Sequence, residues 1–489
     1  MPTNSQLIGR ILGPVVFFIT LWFFRPEGLS EQGVAVLAST LWVVIWWVTS
    51  AIPIAATALL PIVLFPLTGA AELSDTTAAY GHRYVFLYIG GFMIAIGIEK
   101  WNLHKRIALS IISLIGTNVS YMILGFMVAT AFLSMWISNT ATSIMMLPIG
   151  IAIIAQLKDN PKTLENETQI FGKALMLAIA YSASIGGIAT LIGTPPNLVL
   201  AGVVEETYGI EISFAQWLLF GLPISITLLF ICWQYLTRVA FKIKDAKFPG
   251  GIEEIRRQKE ALGPIGFEEK LVLGVFALAA LSWISRSFLL VHLLPGIDDT
   301  IIGLGAALLM FVLPTSKKEK GSLMDWESAV KLPWGILLLF GGGLAIAHGI
   351  QASGLSAWIG SLLAQLEAIH LLIILFILIA AVNFLTEIPS NLATTAMILP
   401  VIAAMALSID VHPYILLIGA TVAASCAFML PVATPPNAVV FGSGYLRIPD
   451  MMRAGFALNL ISILLIALLT YFVLPELWGF VPDVFPDGF

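Results

Sequence analysis

The chain has 489 residues, 59% of them apolar and only 11% charged, with a mean hydropathy of +0.96. A soluble domain carries about 25% charged residues, so composition excludes a soluble protein. It leaves a polytopic helical membrane protein, in contact with the lipid bilayer and with no expected nucleic-acid partner; the net charge of −5 decides little, because in such a chain the placement of charge outweighs its sum.

Apolar runs long enough to cross a hydrocarbon core of about 30 Å open the chain at 8–24, 32–49, 52–69 and 84–98. The first has no small-residue cleavage site and reads as a retained span. An apolar block at 118–157 follows, with Ser138-Asn139 near its middle, and then spans at 172–202 and 214–237. The segment 238–270 carries eight basic and six acidic residues and reads as a solvated amphipathic connector. Spans at 271–292, 299–314 and 333–350 come next, then a second apolar block at 371–408 around Ser390-Asn391, then spans at 411–443 and 455–475.

Charge placement orients these elements. With the N-terminus inside and each Ser-Asn block a re-entrant hairpin, 21 of the 24 Lys and Arg fall on the cytoplasmic side, as the positive-inside rule requires. Only Arg25 and Arg83 fall outside, Arg286 lies within a span, and the C-terminal tail ends outside. The expected fold class is an all-α polytopic membrane protein of about 11 transmembrane helices plus two re-entrant hairpins.

Three sequence pairs mark an internal duplication. Residues 138–148 match 390–400 at seven of eleven positions with an offset of 252, and 91–103 match 343–355 at six of thirteen with the same offset. Gly193-Thr194-Pro195-Pro196-Asn197 pairs with Ala433-Thr434-Pro435-Pro436-Asn437 at an offset of 240, and the difference is assigned to a polar loop insertion at 158–168. The segment around Gly91 runs from outside to inside and its copy around Gly343 from inside to outside. The repeats, about 84–237 and 333–475, therefore have inverted topology, the plan of secondary transporters.

Proline has no N–H to donate and displaces the preceding turn, so each Thr-Pro-Pro-Asn is expected to break its span. Irregular backbone survives at membrane depth only where protein or a water-filled cavity covers it. Freed carbonyls, with Ser, Thr and Asn oxygens, form a hard cage for a small cation such as Na⁺, while half-helix N-termini attract an anion. Two tips and two broken helices thus give two cation sites beside one anion site. The first block has no charged residue between Asn118 and Gln156, and the second has only Glu387. A dianion held there without Lys or Arg needs co-bound cations, which couples the two and yields symport. Small polar residues also serve helix packing in membranes, but packing does not account for two motifs that are each duplicated.

These residues resemble the divalent anion:sodium symporter family, the INDY-like group related to solute carrier family 13. The likeness is carried by Ser134-Met-Trp-Ile-Ser138-Asn-Thr-Ala-Thr, Gly193-Thr-Pro-Pro-Asn, Thr386-Glu-Ile-Pro-Ser390-Asn and Ala433-Thr-Pro-Pro-Asn, and it extends over the full chain. The resemblance implies a homodimer in which a transport domain moves elevator-fashion against a scaffold. The corresponding division is 1–110 (scaffold spans 1–4), 111–237 (first transport half), 238–270 (cytoplasmic connector), 271–360 (scaffold spans 7–9) and 361–489 (second transport half). It implies Na⁺ as the co-transported ion, no organic cofactor, and a small dianionic substrate, a C4-dicarboxylate such as succinate, malate or fumarate. The alternatives are a dicarboxylate exchanger, or a sodium-coupled carrier of another anion such as citrate or sulfate. Carried over by position, Ser134, Ser138, Asn139 and Gly193 resemble the first sodium site, and Thr386, Ser390, Asn391 and Ala433 the second. Asn139, Thr140, Thr194, Ser390, Asn391 and Thr434 resemble the substrate contacts. The departure is Leu392, where the family's second signature has threonine, so an apolar side chain replaces a hydroxyl facing the anion. A prokaryotic inner membrane is the expected location.

Outside the motifs, Cys232 and Cys426 fall in apolar runs and read as packing residues, with Cys426 near enough to the second Thr-Pro-Pro-Asn for thiol reagents to reach. The six histidines form no metal-ligand spacing, and His348 reads as a packed, hydrogen-bonded residue. Arg286 is expected to snorkel to the interface. Glu387 is either a functional intramembrane carboxylate or a group snorkelling to the hairpin base. No serine has a neighbouring base and no G-x-x-x-x-G-K-[ST] loop is present, which disfavours an intramembrane enzyme and an ATP-driven pump. Broken midplane helices favour alternating access over a channel.

Overall fold

A computed structural model of the chain describes residues 3–115, 118–158, 165–243, 249–316, 321–363 and 368–486. Residues 159–164 of the expected loop insertion, and the basic residues Lys162, Lys244, Lys247, Lys317, Lys318 and Lys320, lie outside the described residues. The described chain is all-helical apart from turns, loops and isolated bridge residues such as the pair Pro314 and Ser322. Ten of its helices are long and apolar enough to cross a membrane.

The first two, Asn4–Phe23 and Glu31–Thr49, start where side chains satisfy free backbone N–H groups: Thr3 accepts from Gln6 and Ser30 from Gly33. The expected span at 52–69 is instead two short helices, Ile54–Thr57 and Leu60–Thr68. Pro53 and Pro61 stand at their starts, where a missing N–H does least harm.

Each repeat then runs through the same series. A long helix (Arg83–Lys100, Trp334–Ala352) leads into an amphipathic one (Leu103–Ile115, Leu355–Leu363), then a helix pair, a broken helix and a closing helix (Phe214–Gln234, Ile448–Phe472). Neither amphipathic helix is among the elements expected from the sequence, since each is too short to register as a span. The reversal before each is made by equivalent positions: Asn102 has φ 56° and Gly354 has φ 75°. Glycine tolerates this left-handed region and asparagine is among the few side chains that visit it. Asn102→Gly is therefore expected to leave the thermal midpoint unchanged or higher, while Asn102→Val costs about 1–2 kcal/mol. Thermal unfolding of the two variants in detergent tests this, and a Val variant as stable as the Gly variant would contradict it.

The two repeats interlock. The half-helix Pro195–Tyr208 packs against Asn391–Ser408 of the second repeat, and Pro435–Phe441 packs against Asn139–Lys158 of the first. The connector also docks rather than standing free in solvent. Its helix Pro249–Ala261 packs on Leu103–Ile115 and buries Ile255. Arg106 pairs with Glu269 at 3.0 Å and donates to the carbonyls of Leu262, Gly263 and Pro264.

Arg286 does not snorkel. It is 8% exposed, pairs with Asp299 at 2.8 Å and also with Glu211. Arg83 joins the same group through Glu205 (2.8 Å) and Glu211 (3.4 Å). A buried guanidinium needs paired carboxylates; Asp299 comes from the start of the next long helix and Glu211 from 75 positions upstream. His348 is hydrogen-bonded as expected, to Glu206 at 2.6 Å.

Candidate functional site

Each helix pair turns at its Ser-Asn signature because the signature starts a helix. Val119–Ser134 gives way to Asn139–Lys158, and the Ser138 hydroxyl accepts the Ala141 N–H at 3.2 Å. Leu371–Leu385 gives way to Asn391–Ser408, and the Ser390 hydroxyl accepts the Ala393 N–H at 3.1 Å. Serine is a preferred N-cap, and the two caps are repeat mates.

Behind each tip three oxygens converge. The Ser134 hydroxyl oxygen lies 2.5 Å from the Asn139 amide oxygen and 2.7 Å from the Ala183 carbonyl, and its single proton can serve only one of them. The Thr386 hydroxyl oxygen lies 3.0 Å from both the Asn391 amide oxygen and the Ala424 carbonyl, again with one proton between them. Ser134 and Thr386 are fully buried. These are neutral, hard oxygen donors, the kind that hold sodium where helices unwind.

The broken helices supply the other half of each site. Glu165–Ile188 stops and Pro195–Tyr208 resumes; Pro413–Ala424 stops and Pro435–Phe441 resumes. Thr194 and Thr434 sit at the N-cap with proline just inside, the position where its missing N–H matters least. The Asn of each motif then staples the break. Asn197 donates to the carbonyls of Gly187, Ile188 and Thr190, and Asn437 to those of Ala427 and Leu430. Both asparagines are fully buried, and their role was not readable from the motif alone.

The two breaks are held in different ways. In the first, backbone meets backbone: a Cβ on Gly193 would lie 2.5 Å from the Gly187 carbonyl oxygen, and one on Gly187 would lie 2.7 Å from the Asn139 amide oxygen. In the second, the equivalent residues are Ala427 and Ala433, and the helix ends about one turn earlier. The freed N–H groups of Phe428 (2.9 Å), Met429 (3.0 Å) and Leu430 (3.1 Å) donate to the Glu387 carboxylate, as does Asn459 Nδ2 at 2.8 Å. Glu387 is 4% exposed, so it does not snorkel; it organises the unwound backbone. Its repeat mate is Met135, whose carbonyl accepts from the Thr190 hydroxyl at 2.5 Å, and Thr190 is the mate of Leu430. The same two positions thus tie tip to break in both repeats, through a backbone carbonyl in one and a carboxylate in the other. Cys426, within the second break, is fully buried and out of reach of thiol reagents in this structure.

Tips and breaks enclose one cavity of about 420 Å³. Ser138, Asn139, Thr140, Gly193 and Thr194 line it from the first repeat, and Ser390, Asn391, Leu392, Ala433 and Thr434 from the second. All six residues expected to contact substrate therefore meet in one place. Of the expected cation ligands, Ser134 and Thr386 stand just behind the lining, bonded to Asn139 and Asn391. The remaining wall is apolar, from Ile54, Ala55, Tyr88 and Phe92 together with Gly335, Ile336 and Leu339. No lining residue carries a charge. The N-termini of Asn139–Lys158, Pro195–Tyr208 and Asn391–Ser408 converge on the cavity, and such termini stabilise negative charge.

Residues 4–478 match the family model described as the sodium:sulfate symporter transmembrane region. The sodium-dependent dicarboxylate transporter SdcS of Staphylococcus saprophyticus is 48% identical over 480 residues, covering 97% of this chain and 92% of the relative. SdcS of Staphylococcus aureus (strain bovine RF122 / ET3-1) is 49% identical with the same coverage. Among solved structures, MtrF of Neisseria gonorrhoeae superposes with a TM-score of 0.60 at 12% identity, covering 99% of this chain and 97% of its own. The YdaH transporter of Alcanivorax borkumensis gives 0.56 at 12% identity, with 88% and 97% covered. At that identity these two share the fold alone.

Proposed function

The chain belongs to the sodium:sulfate symporter family, a family of membrane transporters rather than enzymes, and from that premise we propose that it carries a C4-dicarboxylate such as succinate, malate or fumarate together with Na⁺. The observation that supports this reading is the pair of matched oxygen triads flanking one uncharged cavity. A dianion in such a cavity meets helix N-termini, hydroxyls and amides, but no cationic side chain. Burying its charge in a low-dielectric site without compensation is costly, so cations bound at the triads complete the site and are carried with the anion. The dicarboxylate specificity named for the staphylococcal relatives supports the same substrate class.

In this reading the first sodium is held by Ser134, Ser138, Asn139 and the Gly193 carbonyl, and the second by Thr386, Ser390, Asn391 and the Ala433 carbonyl. Asn139, Thr140, Thr194, Ser390, Asn391 and Thr434 hold the anion. The repeats are inverted, the helix pairs are re-entrant, and 111–237 with 361–489 move as an elevator against the scaffold of a homodimer in the cytoplasmic membrane. With the N-terminus inside and the C-terminus outside, Ile54, Ala55 and Gly335 lie at the cytoplasmic ends of their helices, so the cavity opens inward.

The decisive experiment is radiolabelled succinate uptake into proteoliposomes under an inward Na⁺ gradient, an inward K⁺ gradient, or counter-loaded succinate. Uptake that requires Na⁺ supports symport, and uptake driven only by counter-loading means exchange. Leu392 tunes the anion. It lines the cavity where its mate, Thr140, offers a hydroxyl. A hydrogen bond gained there is worth about 0.5–1.5 kcal/mol, so Leu392→Thr is expected to lower the succinate KM about two- to tenfold. An unchanged or higher KM would count against it.

A further inference from the structure

Two further crevices are related by the duplication. One, of about 710 Å³, is lined by Glu99, His104 and Pro148, and the other, of about 210 Å³, by Gln351, Ser356 and Pro400, which are mates at the offset of 252. Each lies between the long first helix of a repeat and the second helix of its Ser-Asn pair, on the seam between proposed scaffold and proposed transport half. In the proposed orientation the wide crevice is cytoplasmic and the narrow one extracellular. Polar contacts stitch the seam at the narrow one. His348 Nδ1 lies 2.6 Å from Glu206 Oε1, and Gln351 Nε2 donates to the Thr207 carbonyl at 2.7 Å. Arg83 pairs with Glu205, at 2.8 Å, on the same side. At the wide crevice the mate positions hold no such stitching. Ile96 stands for His348 and Gly335 for Arg83, while the Glu99 carboxylate, mate of Gln351, has no hydrogen-bond or ion-pair partner among the described residues.

We propose that His348 with Glu206, and Gln351 with the Thr207 carbonyl, form a latch that holds the extracellular crevice shut in this inward-open state and parts when the cavity opens outward. The inference rests on the elevator reading, in which 111–237 moves against 1–110 and 271–360. Contacts that exist in one of two states shift the population toward it, and the mates at the other end offer no equivalent pair when the crevices exchange roles. The ligand-free carrier accordingly rests inward-open. The His348 and Glu206 side chains are 34% and 23% exposed, which keeps the bias modest and within what sodium and substrate can overcome.

The test uses the full-length protein, whose native Cys232 and Cys426 are both buried. Ala404→Cys places a thiol on the wall of the narrow crevice and Ile144→Cys on that of the wide one. The first is labelled with a membrane-impermeant maleimide on intact cells, the second in inside-out vesicles. Adding His348→Ile, which borrows the residue of the mate, raises the Ala404→Cys labelling rate about three- to tenfold. Gln351→Ala raises it too, and Glu206→Gln, which keeps an acceptor but not the charge, raises it less. Labelling of Ile144→Cys holds or falls in all three. An unchanged rate at Ala404→Cys overturns the latch. A rise at both cysteines also overturns it, because loosened packing would expose both crevices together. The parent reading has its own control: saturating Na⁺ and succinate change the Ala404→Cys rate when no latch residue is altered. A rate that responds to these ligands but to no latch variant removes the latch alone, whereas a rate that responds to neither removes the elevator reading and the latch with it.

Discussion

Gly193→Ala is expected to lower sodium-dependent uptake at least about tenfold and to raise the Na⁺ concentration needed for half-maximal rate. The added methyl would lie 2.5 Å from the Gly187 carbonyl oxygen and 3.1 Å from the carbon and Cα of the same residue. Gly187 has no room to retreat: it sits against the Asn139 amide, and its carbonyl accepts from Asn197 at 3.2 Å. Overpacking of this kind costs about 1–3 kcal/mol, and here the displaced atoms include the carbonyl proposed to face the first sodium. A factor of ten needs only about 1.4 kcal/mol. Ala433→Gly is the informative partner, because the second break does not rely on close backbone contact and is expected to change far less. Sodium activation curves for both variants make the comparison, and near-normal activation of Gly193→Ala would mean the first break is looser than its geometry implies.

Glu387→Ala is expected to be the most damaging single change to the fold of the second site. The Met429 and Leu430 N–H groups and the Asn459 amide lose their acceptor at once, and the Phe428 N–H is left with Asn459 Oδ1 at 3.3 Å. Each unsatisfied buried donor costs about 1–3 kcal/mol, and partial relaxation leaves a loss of about 3 kcal/mol or more. Glu387→Gln keeps one acceptor oxygen but turns an NH₂ toward N–H groups, so its unfolding midpoint and uptake should fall between wild type and alanine. Unfolding in detergent and uptake in proteoliposomes give the order of the three proteins. An alanine variant as stable as wild type would show that the unwound segment holds its shape without the carboxylate.

Much of this site is legible in the sequence because it is written twice. Ser138-Asn139 and Ser390-Asn391 announce themselves by repetition in a chain where polar residues are scarce, and Thr-Pro-Pro-Asn locates the breaks through proline's missing donor. The all-helical membrane class follows from hydropathy, although ten helices rather than the expected eleven or so are long and apolar enough to cross. What the sequence leaves unread depends on contacts across elements, or on the absence of repetition. Glu387 has methionine as its mate, so the duplication says nothing of it, and its partners are backbone N–H groups some forty positions away. Arg286 looks like an isolated arginine until the fold brings Glu211 and Asp299 to it. Asn102 marks a tight reversal that only its left-handed backbone reveals, although its mate Gly354 was a signal at hand. The amphipathic helices escape because, at 13 and 9 residues, each is too short to register as a span.

The interlocking of the half-helices bears on how the protein is made. Pro195–Tyr208 packs against Trp334–Ala352, Asn391–Ser408 and Pro413–Ala424 of the second repeat, and the middle one of these is synthesised roughly 200 residues later. At about 5–20 residues per second, the nascent first repeat spends on the order of ten seconds or more in the bilayer with a polar break and an uncovered face. Irregular backbone at that depth is tolerated only when covered, so the first half cannot mature alone and must be sheltered until its partner is inserted. Two polypeptides divided within the connector should accordingly assemble into active carrier when co-expressed, whereas the first expressed alone should be degraded.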